Sequence, residues 1–315
     1  MENHEIRDRV ESVYGHSVSG IRDVSSNQKQ TYVLDTSDGE VVYQRCESPQ
    51  FRESFRCEVL LLEQMRDVRT PVPKVLWREL ENTPEAVISS APGREVSEFY
   101  GEQNFEQAGD VVKQAGTTLS QIHEKKFNHS GKLSTQGGLE LKATSWEDIL
   151  AEIFGDYIHQ LQGSRFEDSI TDAVALFDNG LDLVDEHGSC LVHYDVAPDN
   201  VFWENGNISS VIDFGRAMSG DPAFDLAYAQ VQFVLAFYDG REAEQLNRLL
   251  FGSYHTESLR GEWHKRMWFY RKLFIVEAMK SFESWTEGQG MSEEEKQESA
   301  EWNRDQLSQA AAELR

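Results

Sequence analysis

The stretch "LVHYDVAPDN", residues 191–200, sets the problem of this chain. A short apolar entry leads into a histidine, two aspartates, a proline and an asparagine. Such a loop is either a polar surface turn or a site that holds a metal and handles a proton. The segment that follows, "NVFWENGNISSVIDFG" from Asn200 to Gly215, bears on the choice. Asn-Gly between two apolar, β-branched or aromatic runs is a strong hairpin signal. With Asn205 and Gly206 as the loop pair, Glu204 faces Asn207, Asn200 faces Val211 and Pro198 faces Asp213. Asn200 and Asp213 then share the open end of the hairpin, and Asp195 lies in the loop that feeds it. Two acids and an amide, with room for water, suit a hard cation such as Mg²⁺. The plain alternative is a polar hairpin end made of ordinary turn residues.

A second oddity lies upstream. "FRESFRCEVLLLEQM", residues 51–65, reads as a helix with Phe51, Phe55, Val59, Leu62 and Met65 on one face. Glu58 falls near the middle of that face. A buried carboxylate is costly without a cationic partner. The strand-like run "VVYQRC" carries Arg45 on the same face as Val41 and Tyr43. An inward-facing strand would bring Arg45 to Glu58, where an arginine can clamp phosphate oxygens. A structural ion pair between strand and helix is the simpler reading of that pair.

The remaining elements fall into two unequal parts. Residues 1–14 read as a helix stopped by Gly15, and "TYVLDT" and "VVYQRC" flank an Asp-Gly hairpin signal. "AVISSAPGREV" reads as a strand ending in a Pro-Gly turn, the expected lobe boundary. Beyond it the periodicity is mostly helical, through "FEQAGDVVKQAGTTLSQIHEKKF", "WEDILAEIFGDYIHQLQ" and "FEDSITDAVALFDNGLDLV". The expected organisation is a small lobe over 1–91 and a larger helical lobe over 92–315.

Composition narrows the function classes. Asp and Glu number 55 against 30 Lys and Arg, a formal net charge of −25, spread along the whole chain. Nucleic acid and anionic membranes are poor partners for such a surface. No apolar run is long enough to span a bilayer, and the polar start "MENHEIRDRVES" does not read as a secretory signal. Cys46, Cys57 and Cys190 lack metal-ligand spacing and fit a reducing, cytoplasmic setting. The sequence selects no oligomeric state.

Taken together these pieces resemble the aminoglycoside phosphotransferase and choline kinase-like family, over roughly residues 5 to 285. The resemblance rests on H-x-D-x-x-x-x-N at His193, Asp195 and Asn200. "VIDFGRAMSGDPAFDLAYA" follows it and resembles the family's I-D-F…G-D-P-x-x-D-L-A signature. It implies an α+β, two-lobed protein-kinase-like fold, with a small antiparallel-sheet N-lobe and a larger, mostly helical C-lobe. It implies a small-molecule kinase that moves the γ-phosphoryl group of ATP to a substrate hydroxyl. Asp195 would be the catalytic base, and Asn200 and Asp213 would hold Mg²⁺. Arg45 and Glu58 would match the family's strand cation and helix glutamate, although lysine is commoner at that strand position. "AVISSAPG" resembles the hinge, where the backbones of Ser89 and Ala91 would bond adenine.

His193 and Asp225 would brace the catalytic loop, and Asp221, before Pro222, would cap a helix. The phosphate-covering loop should lie at residues 25–30, "SSNQKQ", which lacks glycine. His123 reads as a satisfied core histidine. The rival readings are a nucleotide-binding pseudokinase serving as an interaction module, and a metal-dependent phosphohydrolase. Retention of Asp195, Asn200 and Asp213 together argues against the first. The second has no need of an Arg45–Glu58 pair or a Pro-Gly hinge.

The resemblance implies a small hydroxyl compound as substrate, and one expectation is that it is cationic. Trp263, Trp268, Tyr270 and Trp285 lie in the sequence near Glu262, Glu277 and Glu283, which would suit a cation–π wall. Core packing of amphipathic helices explains the same residues and is preferred.

The charge generates a prediction. A chain at −25 repels itself, over a Debye length of about 30 Å at 0.01 M salt and about 3 Å at 1 M. Melting temperature should therefore rise as KCl is added, most steeply in the first few hundred millimolar. Adaptation to molar salt adds a further rise in activity beyond about 1 M, where screening is complete. Melts and turnover across that range separate a salt-adapted protein from an ordinary acidic one. A flat melting temperature excludes the salt-adapted reading.

Overall fold

The computed structural model describes residues 2–66, 69–101, 105–135, 138–184, 188–254 and 259–314. Helix α1, Asn3–Tyr14, buries Ile6 and Val10 and stops at Gly15, whose φ is +82°. Five antiparallel strands follow: β1 Val18–Asp23, β2 Gln30–Thr36, β3 Gly39–Arg45, β4 Val75–Glu79 and β5 Glu85–Ser89. Their order in the sheet is β1-β2-β3-β5-β4. Helix α2, Arg52–Gln64, joins β3 to β4.

The sheet buries both faces, and the two-residue alternation of β3 decides what goes where. Val41 and Tyr43 pack with Ile6 and Val10 of α1. Val42 and Cys46 pack with Phe55 and Val59 of α2. Arg45 therefore shares the α1 face, and Gln44 the α2 face.

The chain then leaves this sheet. Gly93 has φ +88°, and a Cβ there would sit 2.2 Å from the Trp203 carbonyl. The glycine of the Pro-Gly turn lets β6, Arg94–Glu95, pair with the later hairpin of β10, Val201–Glu204, and β11, Asn207–Val211. A four-stranded sheet combines the hairpin β7 Gly131–Ser134 and β8 Glu140–Ala143 with β9 Cys190–Val192 and β12 Met218–Gly220. The helices are α3 Phe105–Ile122, α4 Trp146–Leu161, α5 Ile170–Gly180, α6 Pro222–Gln230, α7 Gly240–Ser253, α8 Trp263–Lys280, α9 Phe282–Gly288 and α10 Glu293–Glu313. They enclose the largest apolar core, which runs from Leu61 to Ala311. The fold is α+β, two-lobed and protein-kinase-like.

Two details differ from the sequence expectation. Strand β4 and the β7–β8 hairpin arise from segments without a clear strand pattern. They are short and at most partly buried, apart from Gly131, so alternation is weak. The β10–β11 hairpin has its loop at Asn205 and Gly206, both at positive φ, as a tight primed turn requires. A bulge follows: Trp203 faces Ile208 while Phe202 faces Ser210. The unpaired Ser209 shifts the register by one. Asn200 therefore faces Ile212, accepting its N–H at 3.0 Å, and not Val211.

No helix among the described residues is long and apolar enough to cross a membrane.

Candidate active site

The quoted loop crosses from β9 to β10 with Tyr194 in a left-handed backbone, φ +67°. That conformation costs a non-glycine residue about 1–3 kcal/mol. Asp225, fully buried on α6, offsets it. Its Oδ2 accepts the His193 N–H at 2.7 Å and its Oδ1 the Tyr194 N–H at 2.7 Å. His123 Nε2, on the chain just after α3, reaches Oδ2 at 3.0 Å, and its Nδ1 meets Tyr254 Oη at 2.8 Å. Hydrogen bonds to a charged group contribute about 1.5–3 kcal/mol each, so together they outweigh the strain. His123 is thus a satisfied core histidine that also bonds the brace of the loop.

His193 is fully buried, and burial holds its imidazole below the ordinary histidine pKa. The neutral ring fits its partners. Nδ1 accepts the Asp195 N–H at 3.1 Å, and Nε2 donates to the Ile212 carbonyl at 3.0 Å. Asn200 Nδ2 donates to the Asp195 carbonyl at 2.9 Å. The loop is closed on itself, and the Asp195 carboxylate is left facing a cavity of about 570 Å³. Tyr228 donates to Asp195 Oδ1 at 2.8 Å, and Arg216 Nη1 lies 3.9 Å from the same oxygen.

Asp213 lines the same cavity. Its own φ is +62°, and its Oδ1 accepts the Gly215 N–H at 3.3 Å. Burial opposes its charge, but Lys29 and the Gly215 N–H hold its carboxyl below the usual range. Among the described residues no cluster of three His, Cys, Asp or Glu forms a self-sufficient metal site.

Glu58 is buried on α2, but its partner is not Arg45. Lys29 Nζ lies 2.8 Å from Glu58 Oε2, 3.1 Å from Oε1 and 3.5 Å from Asp213 Oδ1. Arg45 lies on the opposite face of β3 and pairs with Glu47 at 3.2 Å. The error came from reading β3 by Val41 and Tyr43 as the α2 face, when both faces are covered. Lys29 is the sole cation in "SSNQKQ". A strand beginning at residue 30 would have placed it one step from Gln30, across from Cys46.

Asp221 caps α6, accepting the Ala223 N–H at 3.1 Å ahead of Pro222. It is fully buried, paired with Arg266, and accepts the Tyr270 hydroxyl at 2.8 Å. Ser89 donates its N–H to the Lys74 carbonyl at 2.8 Å, which removes that donor from any hinge contact. Ala91 lies just beyond β5 and is partly exposed.

The aromatic residues of the C-terminal third do not form one surface. Tyr270 is buried against Trp146, Trp263 packs on Phe251, and Trp285 is exposed. Glu262 and Glu283 pair with Lys265 and Arg165. Glu277 does reach the site, 2.8 Å from Arg216.

The profile of the phosphotransferase enzyme family matches residues 18–268. Hygromycin-B 4-O-kinase of Escherichia coli is 33% identical over 89 residues, 27% of this chain and 25% of that protein. The fold matches a thermostable mutant of aminoglycoside phosphotransferase APH(4)-Ia with a TM-score of 0.66 at 18% identity, over 98% of each chain. It matches APH(2")-IIa, solved with streptomycin and ATP, at 0.61 and 15% identity, over 100% of this chain and 96% of that one. The chain belongs to the phosphotransferase enzyme family.

Proposed function

We propose that this chain transfers the γ-phosphoryl group of ATP to a hydroxyl of a small molecule, with Asp195 as the base. We assign residues 1–91 to the nucleotide-binding lobe and 92–315 to the catalytic and substrate lobe. The observation that carries the reading is that Asp195 and Asp213 line one cavity, each beside a cation held from behind by a glutamate. Phosphoryl transfer depends on positioning and charge neutralisation more than on covalent chemistry. Tyr228 occupies Asp195 Oδ1, which leaves Oδ2 to accept the substrate hydroxyl. A pseudokinase has no use for a carboxylate so presented.

Asn200 and Asp213 fit Mg²⁺. They offer two hard oxygen donors at one hairpin end, and such an ion completes its shell with water and phosphate. When bound it neutralises phosphate charge. At the hinge we assign the Ser89 carbonyl and the backbone of Ala91, just beyond β5, to adenine.

The acceptor subsite adjoins Asp195. Glu152 and Asp156 line it with Lys132, Arg216 and Lys280. The relatives' acceptors include hygromycin B, streptomycin and gentamicin. Asp195 and Asp213 line the cavity too, so four carboxylates face three basic side chains, and Lys132 and Arg216 are already paired with Glu152 and Glu277. We therefore assign a hydroxyl compound that is neutral or cationic.

Three outcomes test the reading. Asp195→Ala should lower turnover by about 10²- to 10⁴-fold, with ATP affinity within a few-fold of wild type. Turnover near wild type removes Asp195 as the base. In calorimetry with ATP, Asp213→Ala should lose more Mg²⁺-dependent affinity than Asn200→Ala, because a carboxylate supplies a full charge and an amide only a dipole. Equal losses would contradict the assignment. In a panel scored by ADP release, neutral and cationic hydroxyl compounds should exceed acidic ones; an acidic hydroxyl compound as the best acceptor would refute the charge argument.

A further inference from the structure

We propose that Lys29, in the connection between β1 and β2, is the cation that binds the nucleotide phosphates, in place of a basic residue on β3. The inference rests on the nucleotide reading above.

Three observations converge on it. The first is the face of β3. The positions directed at α2 are Val42, Gln44 and Cys46, so the strand presents no cation there. Gln44, on that face, is buried and neutral. The second is the pair itself. Glu58 is buried, and among the described residues Lys29 is the cation paired with it.

The third observation is rigidity. Lys29 sits in a turn that closes without glycine. Ser26 N–H donates to the Lys29 carbonyl at 3.0 Å, and Ser26 Oγ accepts from Gln28 N at 3.2 Å and Lys29 N at 3.4 Å. The Cys46 thiol lies 3.6 Å from the Gln28 carbonyl and ties the turn to the end of β3. Gln30 pairs with Arg45, so one step further out Lys29 stands across from Cys46 on the α2 face. Its neighbour Gln28 lines the cavity with Asp195 and Asp213. A lysine ammonium has three donors. Glu58 occupies two, and the ammonium lies 3.5 Å from Asp213, which lines the cavity. A side chain so anchored loses little freedom when it takes a phosphate oxygen, which favours binding.

A structural ion pair predicts the same geometry, so the test moves the charge. Binding of the non-hydrolysable analogue AMP-PNP with Mg²⁺ is measured by calorimetry, alongside melting temperature. Wild type should bind. Lys29→Met should weaken binding on the order of 10²-fold. Because that variant leaves Glu58 unpaired, Lys29→Met/Glu58→Gln is measured too; it should fold and still bind weakly. Lys29→Met/Gln44→Lys should recover most of the affinity, and Arg45→Met should bind like wild type. Near-wild-type binding by Lys29→Met/Glu58→Gln overturns the proposal, as does a loss in Arg45→Met with none in Lys29→Met. Recovery of melting temperature without affinity in Lys29→Met/Gln44→Lys shows a purely structural lysine and also overturns it. Absence of binding in folded wild type overturns the nucleotide reading itself.

Discussion

The buried carboxylate of Asp225 is the constraint on which the site depends. It sits on α6, more than thirty positions beyond His193 and Tyr194, and receives their two N–H groups and the His123 ring. A carboxylate without those donors would be too costly to bury. A loop without the carboxylate would have to hold Tyr194 in a left-handed backbone unaided. Each cost is met by the other, so loop and helix come into place together. The direction of Asp195 into the cavity follows from that mutual fit.

The cavity repeats one electrostatic arrangement. Glu58 anchors Lys29, which reaches Asp213; Glu277 anchors Arg216, which reaches Asp195. In both cases the glutamate behind the cation is well buried and the functional aspartate is more exposed. The glutamate fixes a long, flexible cation, and the cation then tempers the charge of the aspartate. Arg216 is also stacked on Tyr194, 3.6 Å from the ring centroid, so the loop and the cation share a support. In a chain with a formal charge of −25, a site for a polyphosphate needs cations held where they act.

Behind the site, Asp221 joins α6 to α8 through Arg266 and Tyr270, and Trp146 donates to the same tyrosine at 2.8 Å. Gly220 allows the Trp146 ring to lie against the backbone, since a Cβ there would come within 2.1 Å of it. The aspartate beside the proline is therefore a cap and a junction at once. It holds the helix that carries Asp225 and Tyr228.

The sequence by itself determined the parts whose physics is local. The Asn205-Gly206 turn, the capping of α6 by Asp221 and the amphipathic face that buries Glu58 follow from conformational preference and periodicity over a few residues. The spacing of His193, Asp195 and Asn200 carried the family resemblance, and that resemblance implied the two-lobed fold. What only the tertiary structure decided is which side of a doubly covered strand faces which helix. Val41 and Tyr43 are as apolar as Val42, so alternation along β3 could not say whether Arg45 or Gln44 looks toward α2. Packing of α1 on one face settled it, and left the buried Glu58 to a lysine from another strand connection. The bulge at Ser209 and the parting of Trp263, Tyr270 and Trp285 have the same origin. They depend on what lies across the chain from a residue, and neighbours in sequence carry no record of it.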